Sequence, residues 1–516
     1  MDRCAPRRSN MNRREFTSSS ALGAAALMAG CSREPRPPNV VVCFTDQLRP
    51  FEIGCYGNPI ARTPHMDRLA AQGCRFEVGV TNSPVCSPAR GNLLSGQYAR
   101  TCAGSIRNVG SIGTKRTRLL DPTLPEILSS AGYNTGHVGK WHAHVDPFLL
   151  GFDYAYYPVE IPHRYYGRAM REAVRDGDEL STDTGTEVVV EGFMPQAASD
   201  KAREYIRANR DRPFFLNYWI SPPHMPIGPG NLPERYDGMY RREEVLLRDN
   251  VYDQDGNLFR DDWWFKVYTK WDYFWRTRGG APDAPGDALP EGFNLRDLIA
   301  HYYAAVTCTD DLIGELLAAL EENGIADNTI IVLSADHGEL LGNHGTFNKD
   351  RLYEEAIRVP MIYRYPNGFG PSANTGQVAS NVDIAPTLIE ACGLAVPSHM
   401  QGQSLMPILR AQRESLERNY AFIEAAGYQG VSYAMPYSMM GIRTPSHKYA
   451  IEVEEDDKTI RDDRAAFHDL RSDPYELDNL ASNAEQFPEA ARLRDTLIDW
   501  HRTTPWLEVR DELPHL

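Results

Sequence analysis

The 516-residue chain has no surplus of positive charge: 54 Lys and Arg stand against 70 Asp and Glu, a formal net charge of −16. That balance speaks against a nucleic-acid partner, which asks for a basic stripe or patch. It does not exclude a small anionic substrate, because a local cationic pocket can sit inside an acidic envelope. A long hydrophobic run is also lacking, and the uncharged apolar stretch at 21–29 is too short to span a bilayer as a permanent helix. Cysteines in paired spacings are missing. Cys43, Cys55, Cys74, Cys102, Cys308 and Cys392 are scattered, so no disulfide framework is implied. Internal repeats and low-complexity tracts do not stand out either, which argues against a solenoid.

What is present begins with a targeting segment at 1–30, to be left out of the fold. Arg13-Arg14-Glu15-Phe16 resembles a twin-arginine export signal. Leu27-Met28-Ala29-Gly30-Cys31 resembles a lipobox, in which small residues precede a cysteine that is acylated and becomes the new N-terminus. The expectation is export to the periplasm or cell surface with a lipid anchor on Cys31; an ordinary cleaved signal is the alternative. The polar, Pro-rich 31–38 then serves as a tether.

Beyond it, strands and helices alternate. Asn-Val-Val-Val-Cys-Phe at 39–44 is a β-branched apolar run, as expected of a strand buried on both faces. Helical patterning covers 63–72 and 124–130, and strands are expected at 133–138, 213–220 and 329–334. The longest helix, 298–322, is closed by Asn323-Gly324. This alternation predicts a mostly parallel sheet with helices on both faces. In such sheets ligands gather beyond the carboxyl ends of the strands. Asp46-Gln47, Gly139-Lys140-Trp141-His142, Ser221-Pro222-Pro223-His224 and Ala335-Asp336-His337-Gly338 all fall at such ends, which predicts a single site.

Two segments depart from the alternation. An insertion at 229–292 is charged and aromatic, with Trp263, Trp264, Trp271, Tyr273, Phe274 and Trp275 close together. It reads either as a lid or sugar-stacking wall, or as a small satellite core over the main domain. From 415 to 516 short strands and turns end in a helix at 488–503, with a Pro just inside its start. The expected organisation is a catalytic domain at 39–414 and a C-terminal subdomain at 415–516, the latter a four-stranded antiparallel sheet with a helix.

The most informative stretch is Cys86-Ser-Pro-Ala-Arg90-Gly-Asn-Leu-Leu-Ser-Gly96. It resembles the signature of type I sulfatases, in which the cysteine of a C-x-P-x-R core is oxidised after translation to formylglycine. The resemblance extends over almost the whole chain beyond the tether, through Gly-Lys-Trp-His at 139–142, Ser-Pro-Pro-His-Met-Pro at 221–226, His-Gly-Thr-Phe-Asn-Lys at 344–349 and Asp-Pro-Tyr-Glu-Leu-Asp-Asn-Leu from 473. It implies an alkaline-phosphatase-like fold: a large mixed, mostly parallel sheet flanked by helices, with a smaller C-terminal antiparallel α+β subdomain.

The resemblance also implies roles. Cys86, as formylglycine, would be hydrated, and one hydroxyl would attack sulfur in line and expel the alcohol; elimination of sulfate would restore the aldehyde. Asp46, Gln47, Asp336 and His337, with residue 86, would surround a divalent cation, usually calcium. Gln47 and His337 depart from the commoner Asp and Asn, and resemble choline sulfatases and phosphonate monoester hydrolases. An imidazole ligand keeps magnesium or manganese open. Arg90 would hold the hydrated aldehyde, and Asp336 would act as base. Lys140 would grip a sulfate oxygen, and His142 would bond to the formylglycine. His224 and Lys349 would face the leaving oxygen, and either could protonate it.

The function so implied is hydrolysis of sulfate esters, on a sulfated glycan in the first place, after maturation by a cytoplasmic formylglycine-generating enzyme. His163-Arg164-Tyr165-Tyr166 is a candidate for sugar or anion recognition, against a plain loop. A phosphonate or phosphate ester hydrolase is the second reading. A lipoprotein that binds sulfated polymers without oxidising Cys86 is the third.

Overall fold

In the computed structural model the run at 39–44 is the middle of the molecule. The structure describes residues 36–108, 121–143, 145–159, 165–175, 185–278, 280–427, 436–454 and 456–507. The leader, with Arg13, Arg14 and Cys31, and the candidate residues His163 and Arg164 lie outside them.

The first strand, β1 (Asn39–Asp46), is buried along its whole length. In chain order follow α1 (Pro64–Gln72), β2 (Cys74–Val80), α2 (Cys86–Ser95), α3 (Ala99–Cys102), α4 (Leu124–Ser130), β3 (Asn134–Gly139), β4 (Tyr154–Pro158), β5 (Tyr166–Val174), β6 (Thr186–Phe193), α5 (Met194–Asn209) and β7 (Phe214–Pro223). After these come α6 (Asp262–Thr269), α7 (Trp271–Arg278), α8 (Leu295–Glu322), β8 (Thr329–Ala335), α9 (Glu354–Ile357), β9 (Ile362–Arg364), β10 (Ser372–Ser380), α10 (Ile384–Ala391) and α11 (Met406–Leu409). The chain closes with β11 (Ala421–Ala425), β12 (Ser438–Arg443), β13 (His447–Val453), β14 (Ile460–Asp469) and α12 (Pro488–Thr503).

Ten strands form one sheet in the order β10-β2-β9-β8-β1-β7-β3-β4-β5-β6. Its centre, β8-β1-β7-β3-β4, is parallel throughout. Antiparallel pairings enter through β9 on one side and the β5–β6 hairpin on the other. The mostly parallel sheet expected from the alternation is therefore observed, and its mixed character is that implied by the resemblance. Side chains of β1 alternate between two cores: Val41 and Cys43 join one, and Val40, Val42 and Phe44 join the other. On the first side lie α8, α5 and α1, contributing Leu298, Ala202 and Leu69. On the second lie α2, α4 and α10, contributing Leu93, Leu128 and Leu388.

The long helix α8 begins three residues before the 298 expected from periodicity. Asn294 caps it, with its side chain accepting from Arg296 N, and Asp297 completes a capping box. The second sheet, β11-β12-β13-β14, is antiparallel with α12 packed on one face, as the texture beyond 415 predicted. In the insertion, Trp264, Phe265 and Tyr268 are buried and pack their rings on Phe347, so these aromatics form core and not an open wall. Trp275 alone of the Trp residues in α6 and α7 with described side chains is mainly solvent-facing, at 48% exposure.

Candidate active site

Parallel register brings the polar clusters together. Thr45 pairs with Ala335 across β1 and β8, so Asp46 and Asp336 leave neighbouring strands side by side, and Asp336 N donates to Thr45 O at 3.1 Å. Gly139 pairs with Trp219 at the end of β3. A Cβ at Gly139 would lie 2.0 Å from Trp219 O, and its φ of 106° is one that side chains disfavour. Glycine here lets the chain turn against β7 and deliver Lys140 into the site, where it is fully buried.

Cys86 opens α2, so its side chain sits at a helix N-terminus, where anions are favoured. Its Sγ stands where the hydroxyls of an oxidised residue 86 would be. Around that atom lie His337 Nε2 at 3.3 Å, Lys349 Nζ at 3.3 Å and Lys140 Nζ at 3.8 Å, and the His142 side chain also bonds to it. Burial alone would push the thiol up, but Lys140, Lys349 and His337 hold it well below the usual thiol range. The pocket is thus built to hold negative charge at this position.

The carboxylates are bridged by a guanidinium. One terminal nitrogen of Arg90 donates to Asp46 Oδ2 and to Asp336 Oδ2, each at 2.8 Å, while the other donates to Lys140 O at 3.3 Å. The Arg90 guanidinium lies 4.5 Å from the Trp219 ring centre. With a thiol at residue 86, the hydrogen bonds of Arg90 go to the paired acids and to Lys140 O. Burial and the Asp46 charge push the Asp336 carboxyl up. Burial acts the same way on Asp46, yet Lys140, His224 and Arg90 outweigh it and hold that group below the usual carboxylate range.

Four of these residues form a candidate cation site. One ligand atom from each of Asp46, Cys86, Asp336 and His337 lies within 4.8 Å of all the others. Asp46 Oδ1 and Gln47 Oε1 are buried acceptors without a hydrogen-bond partner among the described residues. Such orphaned oxygens are costly unless something positive meets them. His337 Nδ1 bonds to Gly338 O at 2.8 Å, so Nε2 is the ring atom that faces inward and would give up its proton to ligate a cation. That is the arrangement of a metal-ligating histidine. The residues fit a hard divalent cation with carboxylate, amide and imidazole donors. Two other groups of His and acids are occupied by protein: Asp310 accepts from His65 N and Met66 N, and Glu355 and Glu476 are paired with Arg248 and Lys448.

Opposite the cation site, Lys349 Nζ lies 3.3 Å from His224 Nε2. His224 Nδ1 bonds to Met225 O at 2.7 Å. A ring nitrogen facing a carbonyl must carry its proton, so Nε2 is the acceptor and the shared proton resides on Lys349. Burial and the two lysines push His224 down to about 4, while Cys86 and Asp46 push Lys349 up against the effect of its burial. Asn348 and Asp350, on either side of Lys349, are both left-handed, with φ of 71° and 65°. Asp350 N is tied to Pro84 O at 3.1 Å, so the Lys349 loop is fastened beside the start of α2.

The expected catalytic and cation-site residues meet here: Asp46, Gln47, Cys86, Arg90, Lys140, His142, His224, Asp336, His337 and Lys349. Of the 163–166 candidate, Tyr165 is buried and its hydroxyl donates to His224 O, while Tyr166 is exposed and lies against Phe193. Two more, Glu339 and Tyr268, went unread in the sequence. Glu339 follows the Asp-His-Gly turn by one residue, which was a usable signal; nothing local marks Tyr268.

An alkaline-phosphatase-like sheet with an anion-holding cysteine and a cation site at its carboxyl ends defines a hydrolase of ester anions. The chain belongs to the sulfatase family, whose model matches residues 38–394, and a model of the N-sulphoglucosamine sulphohydrolase C-terminal region matches residues 342–503. It is a sulfuric ester hydrolase. It is 29% identical over 525 residues to an N-acetylglucosamine-6-O-sulfatase of Bacteroides thetaiotaomicron, covering 92% of this chain and 88% of the relative. It is 29% identical over 461 residues to an ulvan-active sulfatase of Formosa agariphila, covering 88% and 78%. Among solved structures, BT4656 in complex with its substrate D-glucosamine-2-N,6-O-disulfate superposes with a TM-score of 0.66 at 25% identity, over 90% of this chain and 98% of that one. A phosphonate monoester hydrolase from Silicibacter pomeroyi shares the fold, with a TM-score of 0.67 at 21% identity over 91% and 96%.

Proposed function

We propose that the chain removes sulfate from a sulfated glycan, using formylglycine made from Cys86 as nucleophile and a divalent cation held by Asp46, Gln47, Asp336, His337 and residue 86. The observation that carries the reading is the convergence of Lys140, Lys349 and His337 on one buried side-chain atom at a helix N-terminus. Oxidised and hydrated, residue 86 supplies the hydroxyl that attacks sulfur and so splits the displacement into two easier steps. The cation, when bound, supplies Lewis-acid charge for sulfuryl oxygens and an acidified hydroxyl at residue 86. The oxygen-rich donor set favours calcium, and the imidazole suits manganese. Binding of each to metal-stripped protein decides between them.

The residues of this chain do the rest. Lys140 meets a sulfuryl oxygen from the β3 side, and Lys349 from the opposite side. Lys349 carries the proton of the Lys349–His224 pair and delivers it to the departing sugar oxygen; His224 aligns it. Asp336 Oδ1 accepts from Gln47 N and His337 N, and Oδ2 from Arg90, which leaves one acceptor direction, on Oδ2, open to the side where the cation and residue 86 meet. His142 bonds to residue 86 and assists release of sulfate.

A glycan substrate is supported by the relatives' own substrates. The leader supports export with a lipid on Cys31. Turnover of a panel of defined sulfated oligosaccharides tests the substrate, with aryl sulfate and aryl phosphonate esters as comparison. A wide preference for phosphonate would refute it. The mass of the Cys86 peptide from the native host tests the nucleophile, since an unmodified thiol in active enzyme would contradict it. Labelling with a radioactive fatty acid tests the anchor.

A further inference from the structure

A buried carboxylate outside the Asp46, Cys86, Asp336 and His337 group ties the two halves of the site together. Glu339 is fully buried behind Gln47. Its Oε2 accepts from Gln47 Nε2. Its Oε1 accepts from Leu341 N at 3.1 Å and from Asn348 N at 2.7 Å. The Tyr268 hydroxyl, from α6 in the insertion, also bonds to Glu339. That hydroxyl lies 3.2 Å from Asn348 N and 3.4 Å from Gln47 Nε2, both of which donate to it. Every group that meets Glu339 is therefore a donor, which suits a carboxylate that only accepts.

Two consequences follow from this donor order. An acceptor at Glu339 fixes which end of the Gln47 amide faces it. The NH2 must point to Glu339, so the carbonyl Oε1 lies on the far side of the amide as an orphaned buried acceptor. Without such a partner the amide could turn over and present hydrogens to a cation. The second consequence concerns Lys349. Asn348 holds a left-handed φ of 71°, and its N–H is gripped by both Glu339 and Tyr268, while Leu340 N donates to Asn348 O at 2.9 Å. The two peptide groups that flank Asn348, immediately before Lys349, are thus each held by hydrogen bonds.

We propose that Glu339 and Tyr268 are positioning residues: Glu339 orients the Gln47 carbonyl toward the cation, and Glu339 with Tyr268 sets the Lys349 loop against residue 86. The insertion at 229–292 then has a catalytic purpose as a brace that reaches the site through one hydroxyl. The proposal rests on Gln47 being a cation ligand, and its test separates the two ideas.

Calcium binding to the metal-stripped full chain is measured by titration calorimetry for the wild type, Gln47→Ala, Glu339→Gln and the double variant Glu339→Gln/Gln47→Glu. In Glu339→Gln one of two amides must turn a hydrogen-bearing end the wrong way. The expected loss of calcium affinity is about 10- to 100-fold, the usual cost of disturbing a group that orients a ligand. The double variant restores the donor–acceptor match with the roles exchanged, and recovers most of the affinity. Loss in Gln47→Ala but wild-type affinity in Glu339→Gln overturns the orienting role. No loss in Gln47→Ala overturns the ligand assignment instead. If Glu339→Gln does not fold, the double variant carries the test alone, and its failure to bind calcium overturns the proposal. For Tyr268→Phe, kcat on a sugar sulfate is expected to fall about tenfold, one hydrogen bond's worth, while KM holds. A kcat equal to wild type, or a rise in KM with kcat unchanged, overturns the Lys349 half.

Discussion

Replacing Lys349 by Met removes a buried ammonium 3.3 Å from residue 86 while keeping most of the side chain's bulk. Two unit charges at that separation attract by about 5 kcal/mol at an effective dielectric near 20. Protonation of a leaving group by a positioned acid is worth about 10²–10⁴-fold, or about 2.7–5.5 kcal/mol. The two magnitudes coincide, so the size of the loss alone does not tell charge stabilisation from proton transfer. The leaving group does. A sugar alkoxide is a poor leaving group and needs the proton; a nitrophenolate departs without it. If Lys349 is the acid, kcat/KM for Lys349→Met falls about 10³-fold on a sugar sulfate and only about tenfold on a nitrophenyl sulfate. The assay is kcat/KM over a series of sulfate esters of graded leaving-group acidity, for wild type and variant. The slope against acidity steepens in the variant. A uniform loss across the series, with parallel slopes, would refute proton donation and leave Lys349 as a fixed charge only.

Cys86→Ala should abolish turnover and leave thermal melting of the metal-free protein within about 1 kcal/mol of wild type; residual turnover with a clean preparation would contradict the nucleophile. Chelation should lower the melting temperature, and a cation restored at a hundred times its Kd should return about 2.7 kcal/mol, read by melting with and without calcium. Asp336→Asn removes an acceptor for Arg90 as well as a cation ligand, so calcium affinity and kcat should fall together; loss of kcat at unchanged affinity would separate the two roles. At His468, burial and Lys448 lower the imidazole from 6.5 to about 4, against the pull of Asp473. The unfolded chain therefore takes up this proton first as pH falls. The group's contribution is complete above pH 6.5 and is lost toward pH 4, about 3 kcal/mol in all. His468→Gln should flatten urea-melt stability over that range by this amount, and an unchanged pH slope would refute the shift.

The central strands were legible in the sequence because each is a short apolar run closed by a polar cluster. The parallel orientation of β1 and β8 agrees with both strands being buried on two faces, whereas their register is set by tertiary packing. The gathering of Asp46, Lys140, His224 and Asp336 was legible for the same reason: each follows the end of a strand in one sheet. The β5–β6 hairpin was not, since half of its residues face solvent and no alternation survives. Arg90 was read as a partner of residue 86, and its attachment to two carboxylates depends on strand neighbours that adjacency along the chain does not reveal. Tyr268 is the extreme case. Its ring belongs to an aromatic core that composition does suggest, but the destination of its hydroxyl, 80 residues along at Asn348, is set only by tertiary packing.

The guanidinium between Asp46 and Asp336 has one more consequence. Arginine stays protonated at any pH the protein meets. The chain thus brings a permanent counter-ion to its two acids before any metal arrives. The pocket can be assembled first and loaded afterwards, and the order of maturation steps need not be dictated by the metal supply.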